Sequence, residues 1–337
     1  MKRLSGHSPA IPLAFLLMVM ILVDVLSVGS GAGFGDALSG LFGSGRGMVR
    51  DIVWGIRIPR ILTAVIAGSA LSLAGAQMQA VFRNPLADPH IMGISGGAGL
   101  MAAIATIAIP GTAAGITLSV FQGLTIAGAA FIGAVLASIL VITAMGKIRS
   151  GGTLLIFGVM AGFIFSALTS ILEYSASEQS LKLFYSWAAG SFGGSTWGSI
   201  FLMAFLLLVG GILYLWNAKG LDIILFGDEF SSMSGADVRR IRMISITGCC
   251  LVTGGVTAFC GPIGFVGIIS PHIARALLKT SSHRKILLPT LLIGSAICVT
   301  ADILSQCFRV PVPPGSTVAI IGIPFIIYIL MGHDSFN

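Results

Sequence analysis

The sequence predicts an all-α polytopic membrane protein: one domain over residues 1–337, about ten transmembrane helices, both termini cytoplasmic. Three observations predict it. The 337 residues are 55% hydrophobic and only 9% charged, and the mean hydropathy is +1.00. Soluble domains are roughly a quarter charged, and a soluble chain of this length has too little interior for so many apolar side chains. Apolar runs recur at about the 20 residues that cross a bilayer. The basic residues between those runs sort to one side.

The first run, 11–29, follows Lys2 and Arg3. It is too long for the apolar core of a typical signal peptide and is read as a retained helix. The others fall at 58–82, 91–109, 117–145, 153–174, 197–217, 240–260, 263–280, 286–306 and 316–332. Each must be helical, because hydrocarbon offers no partner to backbone N–H and C=O groups. The second carries Ala64, Gly68, Ser72, Ala76 and Ala80 at every fourth position, a smooth face that admits a neighbour closely. The third and eighth are short and glycine-rich. With the N-terminus inside, thirteen of the nineteen Lys and Arg residues are cytoplasmic and six are external, as inner loops require.

The polar islands exclude several classes. The formal charge of +7 comes in short clusters beside apolar runs, which fits a membrane surface and no nucleic-acid partner. Cys249, Cys250, Cys260, Cys298 and Cys307 lack metal-ligand spacing and read as small buried hydrophobes. GISGGAG, Gly93 to Gly99, has no strand before it, and GxxxxGK[ST] occurs nowhere. The chain is not expected to bind ATP itself. His90 and His272 follow prolines in DPH and SPH, without a companion ligand at metal spacing. They read as turn or helix-start residues, and no cofactor is expected. Asp24 and Asp302 are the main acids inside spans. No chain of buried acids and bases is evident, which counts against the rival class, an ion-coupled secondary transporter. No Ser-His-Asp order or HExxH helix supports an enzyme.

The largest polar segment between spans is Asn217 to Arg242, NAKGLDIILFGDEFSSMSGADVRRIR. Leu221, Ile224, Leu225, Phe226, Phe230 and Met233 interleave with Asp228, Glu229 and serines, an amphipathic pattern too polar to span. It suits an interfacial helix or a docking element. The acidic middle favours docking, since membrane-surface helices carry Lys or Arg beside the apolar face.

At these residues the chain resembles the FecCD/BtuC-type permeases, the membrane subunits of type II ABC importers for ferric siderophores, haem and cobalamin. RIPRILTAVIAGSALSLAGAQMQAVFRNPLADPHIMGISGGAG, WAAGSFGGSTW, GPIGFVGIISPHIARALL, Ala301-Asp302 and PPGSTVAIIGIPFIIYIL carry the resemblance in order across nearly the whole chain. It implies a BtuC-like fold of ten helices in a bacterial or archaeal cell membrane. The implied partners are a second permease subunit, identical or paralogous, two cytoplasmic ATPases and a soluble or lipid-anchored binding protein outside.

The resemblance also implies roles. Residues 217–242 become the ATPase-coupling segment, with Phe226, Gly227, Asp228, Glu229, Phe230, Met233 and Gly235 at its centre. Arg57 and Arg60, which position alone makes either interfacial anchors or docking cations, match arginines that pair with carboxylates of the binding protein. Arg309 is a third candidate, displaced from the family's position, where Gln306 stands. Gly151 and Gly152 occupy a turn where some members carry hydroxyl residues at an inner gate. Pro311 to Gly315 lacks the glutamate many members have.

Overall fold

The computed structural model describes residues 9–27, 47–108, 119–148, 150–308 and 312–333. Among the described residues the regular structure is helical, with no strand. α1 (Ala10–Ser27) is followed by α2 (Gly47–Ile52), which passes through a π turn, Val53–Arg57, into α3 (Ile58–Phe82). A 3-10 turn, Pro89–Met92, leads to α4 (Ile94–Ala103). Then come α5 (Ser119–Ala144), α6 (Gly151–Tyr174), α7 (Glu178–Ala188) and α8 (Trp197–Ile224). α9 (Asp228–Met233), α10 (Val238–Cys260), α11 (Val266–Leu278), α12 (His283–Cys307) and α13 (Pro314–His333) complete the order.

Among the described residues, six helical stretches are long and apolar enough to cross a membrane, and they fall on α3, α5, α6, α8, α10 and α12. Shorter apolar helices, Ala10–Leu26, Ile94–Ile107, Val266–Leu278 and Pro314–Ile327, lie at the other expected runs.

α3 is the hub. The apolar stretch containing it is 83% buried, against 22% for α6. Its small residues explain the difference. Gly68 meets Gly294 of α12 and Gly75 meets Gly267 of α11, backbone against backbone. Hydroxyls tie the same seams: Ser69 to Ser295 at 2.8 Å and Ser72 to Ser270 at 2.9 Å. Gln79 Nε2 donates to the carbonyls of Gly267 and Ile268 at 3.2 and 3.1 Å. Every residue from Ala67 to Phe82 is buried. α6 instead turns Ile156, Phe163, Ile164 and Ile171 outward, as a helix facing lipid or another chain does.

Two expectations are corrected. The eighth run is not a helix from residue 263. α10 ends where Gly261 takes φ +71°, and Phe265 sits left-handed at φ 69° before α11 begins at Val266. The GPIGF stretch between them is irregular, and its surroundings answer its polar backbone. Cys260 O accepts from Ser191 N at 2.8 Å, and Ile263 O meets His90 Nε2 at 2.6 Å. At membrane depth such backbone is tolerated where it is buried in protein or lines a water-filled cavity. The segment 217–242 is likewise not one amphipathic helix. α8 continues to Ile224, so Leu221 and Ile224 are core residues. Gly227 at φ +105° and Gly235 at φ +80° then bracket α9, using a conformation that favours glycine.

Candidate functional sites

The outer candidates begin with Arg57 and Arg60. The helix runs unbroken through both, so three residues of spacing places them on one face. That face turns inward. Arg57 is buried and donates from Nη1 to Val25 O of α1 at 2.7 Å. Arg60 forks onto Asp302 of α12: Nε reaches both carboxylate oxygens at 2.9 and 2.8 Å, and Nη2 reaches Oδ1 at 2.8 Å. Gln306 Nε2 donates to Asp302 Oδ2 at 3.0 Å and to Asp24 Oδ1 at 3.4 Å.

No such cluster was evident in the sequence: α1, α3 and α12 bring Asp24, Arg60, Asp302 and Gln306 together. A fork on a carboxylate is the strongest ordinary ion-pair geometry. Arg60 keeps a partly exposed side chain, 22%, against 0% for Asp302. A Cβ on Gly193 would lie 3.8 Å from Arg60 Nη1, so Arg60 borders the turn between α7 and α8. Arg309 lies outside the described residues.

The inner candidates gather around α9. Phe226, Phe230 and Met233 are exposed, and the two rings lie 5.5 Å apart between centroids, tilted by 49°. Glu229 opens the helix with Asp228, where the macrodipole favours acids. Asp228 is the junction. Arg242 Nη2 of α10 donates to its two oxygens at 3.0 and 2.9 Å, and Arg83 Nη2 lies 3.4 Å away. Arg83 ends α3 in a left-handed conformation, φ 48°. Gly151 is buried at the start of α6, beside Val81 O and the Arg242 guanidinium, while Gly152 is exposed. Sequence reading did not assign Arg83 or Arg242 to this site. The signal available was an arginine at each helix end beside the acidic segment.

The turn Arg83–Gly93 is structural. Asp88 accepts from His90 N at 2.8 Å and starts the 3-10 turn. Burial pushes the Asp88 carboxyl above its ordinary range, partly offset by His90. Among the described residues, no group of three or more His, Cys, Asp or Glu side chains could hold a metal ion.

The model of the FecCD transport family matches residues 16–332. The hemin transport system permease protein HmuU of Yersinia pestis is 30% identical over 96% of each chain. The Fe(3+)-citrate import system permease protein YfmE of Bacillus subtilis is 34% identical, over 96% of this chain and 95% of its own. The cobalamin import system permease protein BtuC of Halobacterium salinarum is 34% identical, over 84% of this chain and 74% of its own. A solved inward-facing structure of a metal-chelate type ABC transporter shares the fold, with a TM-score of 0.80 and 24% identity over 96% of this chain and 99% of that one.

Proposed function

The chain belongs to the FecCD transport family, and on that premise we propose that it is the permease subunit of an ATP-driven importer for an iron chelate, haem or a corrinoid. The observation that carries this reading is the family match, continuous from residue 16 to residue 332. The relatives named for hemin, ferric citrate and cobalamin support the cargo class. The ion-coupled alternative finds no support among these relatives and is set aside.

In this reading the chain is one domain that crosses a cell membrane ten times with both termini in the cytoplasm. A second permease subunit completes the pathway. Two ATPases dock on Phe226, Phe230 and Met233, whose exposure supports the assignment. Gly227 and Gly235 set the angle of α9, and Asp228 and Glu229 open it. The binding protein docks outside, where Arg60 presents the accessible edge of its side chain; Arg57, though its side chain turns to α1, and Arg309 are kept as the other contacts. Gly151 and Gly152 line the inner gate. ATP-driven closure of the ATPases moves α9, and the pathway alternates between two global states.

The test is reconstitution with the partner ATPase and binding protein in liposomes that hold ATP and no ion gradient. Ferric citrate, hemin and cobalamin are offered separately. ATP-dependent uptake of one of them is expected; no ATP-dependent uptake of any would overturn the reading.

A further inference from the structure

The turn that joins α11 to α12 carries an unbalanced set of charges. Lys279 follows α11 in a left-handed conformation, φ 49°, and Arg284 and Lys285 stand in the first turn of α12. All three residues are exposed. Among the described residues no ion pair engages any of them. The acid that reaches this turn is Asp222 of α8, and it is already engaged. Its Oδ1 accepts from His283 N at 2.8 Å and meets His283 Nδ1 at 2.6 Å, and Ser282 Oγ donates to Oδ2 at 3.4 Å.

The placement runs against the electrostatics of a helix end. A helix N-terminus carries a partial positive charge, and cations are favoured at the opposite end. α12 has 25 residues and no acid in its first turn, and the Ser282 side chain makes no capping hydrogen bond there. Two cations in that turn, with Lys279 just upstream, repel the helix end and one another unless an anion lies over them. A local rule broken without an internal compensation marks a functional site.

The apolar neighbours say what kind of anion fits. Leu277, near the end of α11, and Leu288 of α12 are 53% and 54% exposed. Leu288 stands four residues after Arg284, so the two share one helix face. The charged groups therefore lie next to side chains that are apolar and face outward. Behind them, Leu13 of α1 and Leu278 pack against the buried Ala274, Ile286 and Ile293. Cations one turn beyond outward leucines of a membrane helix lie at the depth of phospholipid phosphates.

We propose that Lys279, Arg284 and Lys285 form a headgroup site for an anionic phospholipid. The phosphodiester sits among the three cations, and the acyl chains run along Leu277 and Leu288. The site goes beyond the importer reading and needs only that α12 crosses the membrane. Near an anionic surface each Lys or Arg contributes about a fivefold preference.

The experiment places the full chain in mixed micelles with equal phosphatidylcholine and phosphatidylglycerol and counts each retained lipid by native mass spectrometry. Phosphatidylglycerol is expected to be retained in preference. The triple variant Lys279→Gln, Arg284→Gln and Lys285→Gln is expected to lower that preference by more than about fivefold. It should still co-purify with the partner ATPase, and in phosphatidylcholine alone it should melt no lower than the parent. The exchange Lys279→Arg, Arg284→Lys and Lys285→Arg is expected to keep the preference. So is Arg239→Gln with Arg240→Gln, which removes exposed cations of α10. Inorganic phosphate at matched ionic strength is expected to displace no lipid.

Equal retention of the two lipids by the unaltered chain overturns the proposal. So does a preference that survives the triple variant, is lost in the exchange, or falls as far when Arg239 and Arg240 are neutralised. Displacement by inorganic phosphate would make this a site for a free anion and overturns the lipid assignment. A triple variant that melts below the parent or sheds its ATPase overturns it too, because the cations would then serve the fold or the partner. Failure of the unaltered chain to hold an ATPase overturns the importer reading instead and leaves the lipid count intact.

Discussion

Arg60 and Asp302 stand 242 positions apart in the chain and meet through three hydrogen bonds of 2.8 to 2.9 Å. The pair fastens α3 to α12 near the end where α1 joins them. Asp302 is fully buried, so it depends on Arg60 for compensation. Arg60 retains some solvent access and gives up less.

Asp302→Asn strips the pair of its negative member. Removing one partner of a buried pair costs more than the pair contributes, because the other charge is stranded; with Arg60 partly hydrated the expected loss is about 2 kcal/mol. Thermal unfolding in detergent reads it as a lower midpoint. Arg60→Asp combined with Asp302→Arg should regain part of the loss. An unchanged midpoint in Asp302→Asn would show that the pair is no brace.

Gly294→Ala tests the seam between α3 and α12. The new methyl would overlap the Ser72 hydroxyl and lie 2.5 Å from Gly68 O, with backbone on one side unable to yield. Overpacking costs roughly 1–3 kcal/mol where side chains adapt, and the upper end or beyond is expected here. Gly99→Ala on α4 meets nothing within 4 Å and should match or slightly exceed the parent in stability. Equal melting of the two variants would refute close backbone packing at Gly294.

The apolar tip of α9 should carry most of the ATPase contact. Phe226→Ser, Phe230→Ser and Met233→Ser together remove side chains that are 73%, 53% and 88% exposed. The fold should melt as before, while the ATPase no longer co-purifies. A stable complex with ordinary nucleotide-driven uptake would leave the tip as a surface element only.

Which features are readable from sequence follows from how local they are. Helical spans announce themselves through apolar length, and α5, α6 and α8 lie near their expected places. The seam on α3 is also local, since a four-residue spacing of small side chains repeats along one helix face. GPIGF is different: Gly261-Pro262 and Gly264 are break signals, but the apolar residues around them let the stretch read as the start of a span. Gly261 and Phe265 end the regularity through backbone angles that tertiary packing supplies. The segment around α9 was misread as one helix because buried and exposed apolar residues look alike in a one-dimensional pattern. Leu221 and Phe226 belong to different surfaces. Arg60 with Asp302, and Arg242 with Asp228 beside Gly151, are partnerships across space, so residue types alone could nominate members but not couples.

The burial of α3 also has a consequence for biosynthesis. Ser69 reaches its partner Ser295 only after another 226 residues have been made. At roughly 5–20 residues per second, that is a wait of about ten to forty-five seconds. Throughout it, a helix faced with glycine, alanine and serine must reside in the bilayer without the neighbour shaped to receive it. Ribosome-bound chains stopped before His283 should therefore photocrosslink from residue 68 to lipid or to the insertion machinery, and chains extended past α13 should not. Equal crosslinking at both lengths would mean that α3 finds its shelter early. The same smooth face that makes the finished bundle tight makes its youngest form dependent on a caretaker.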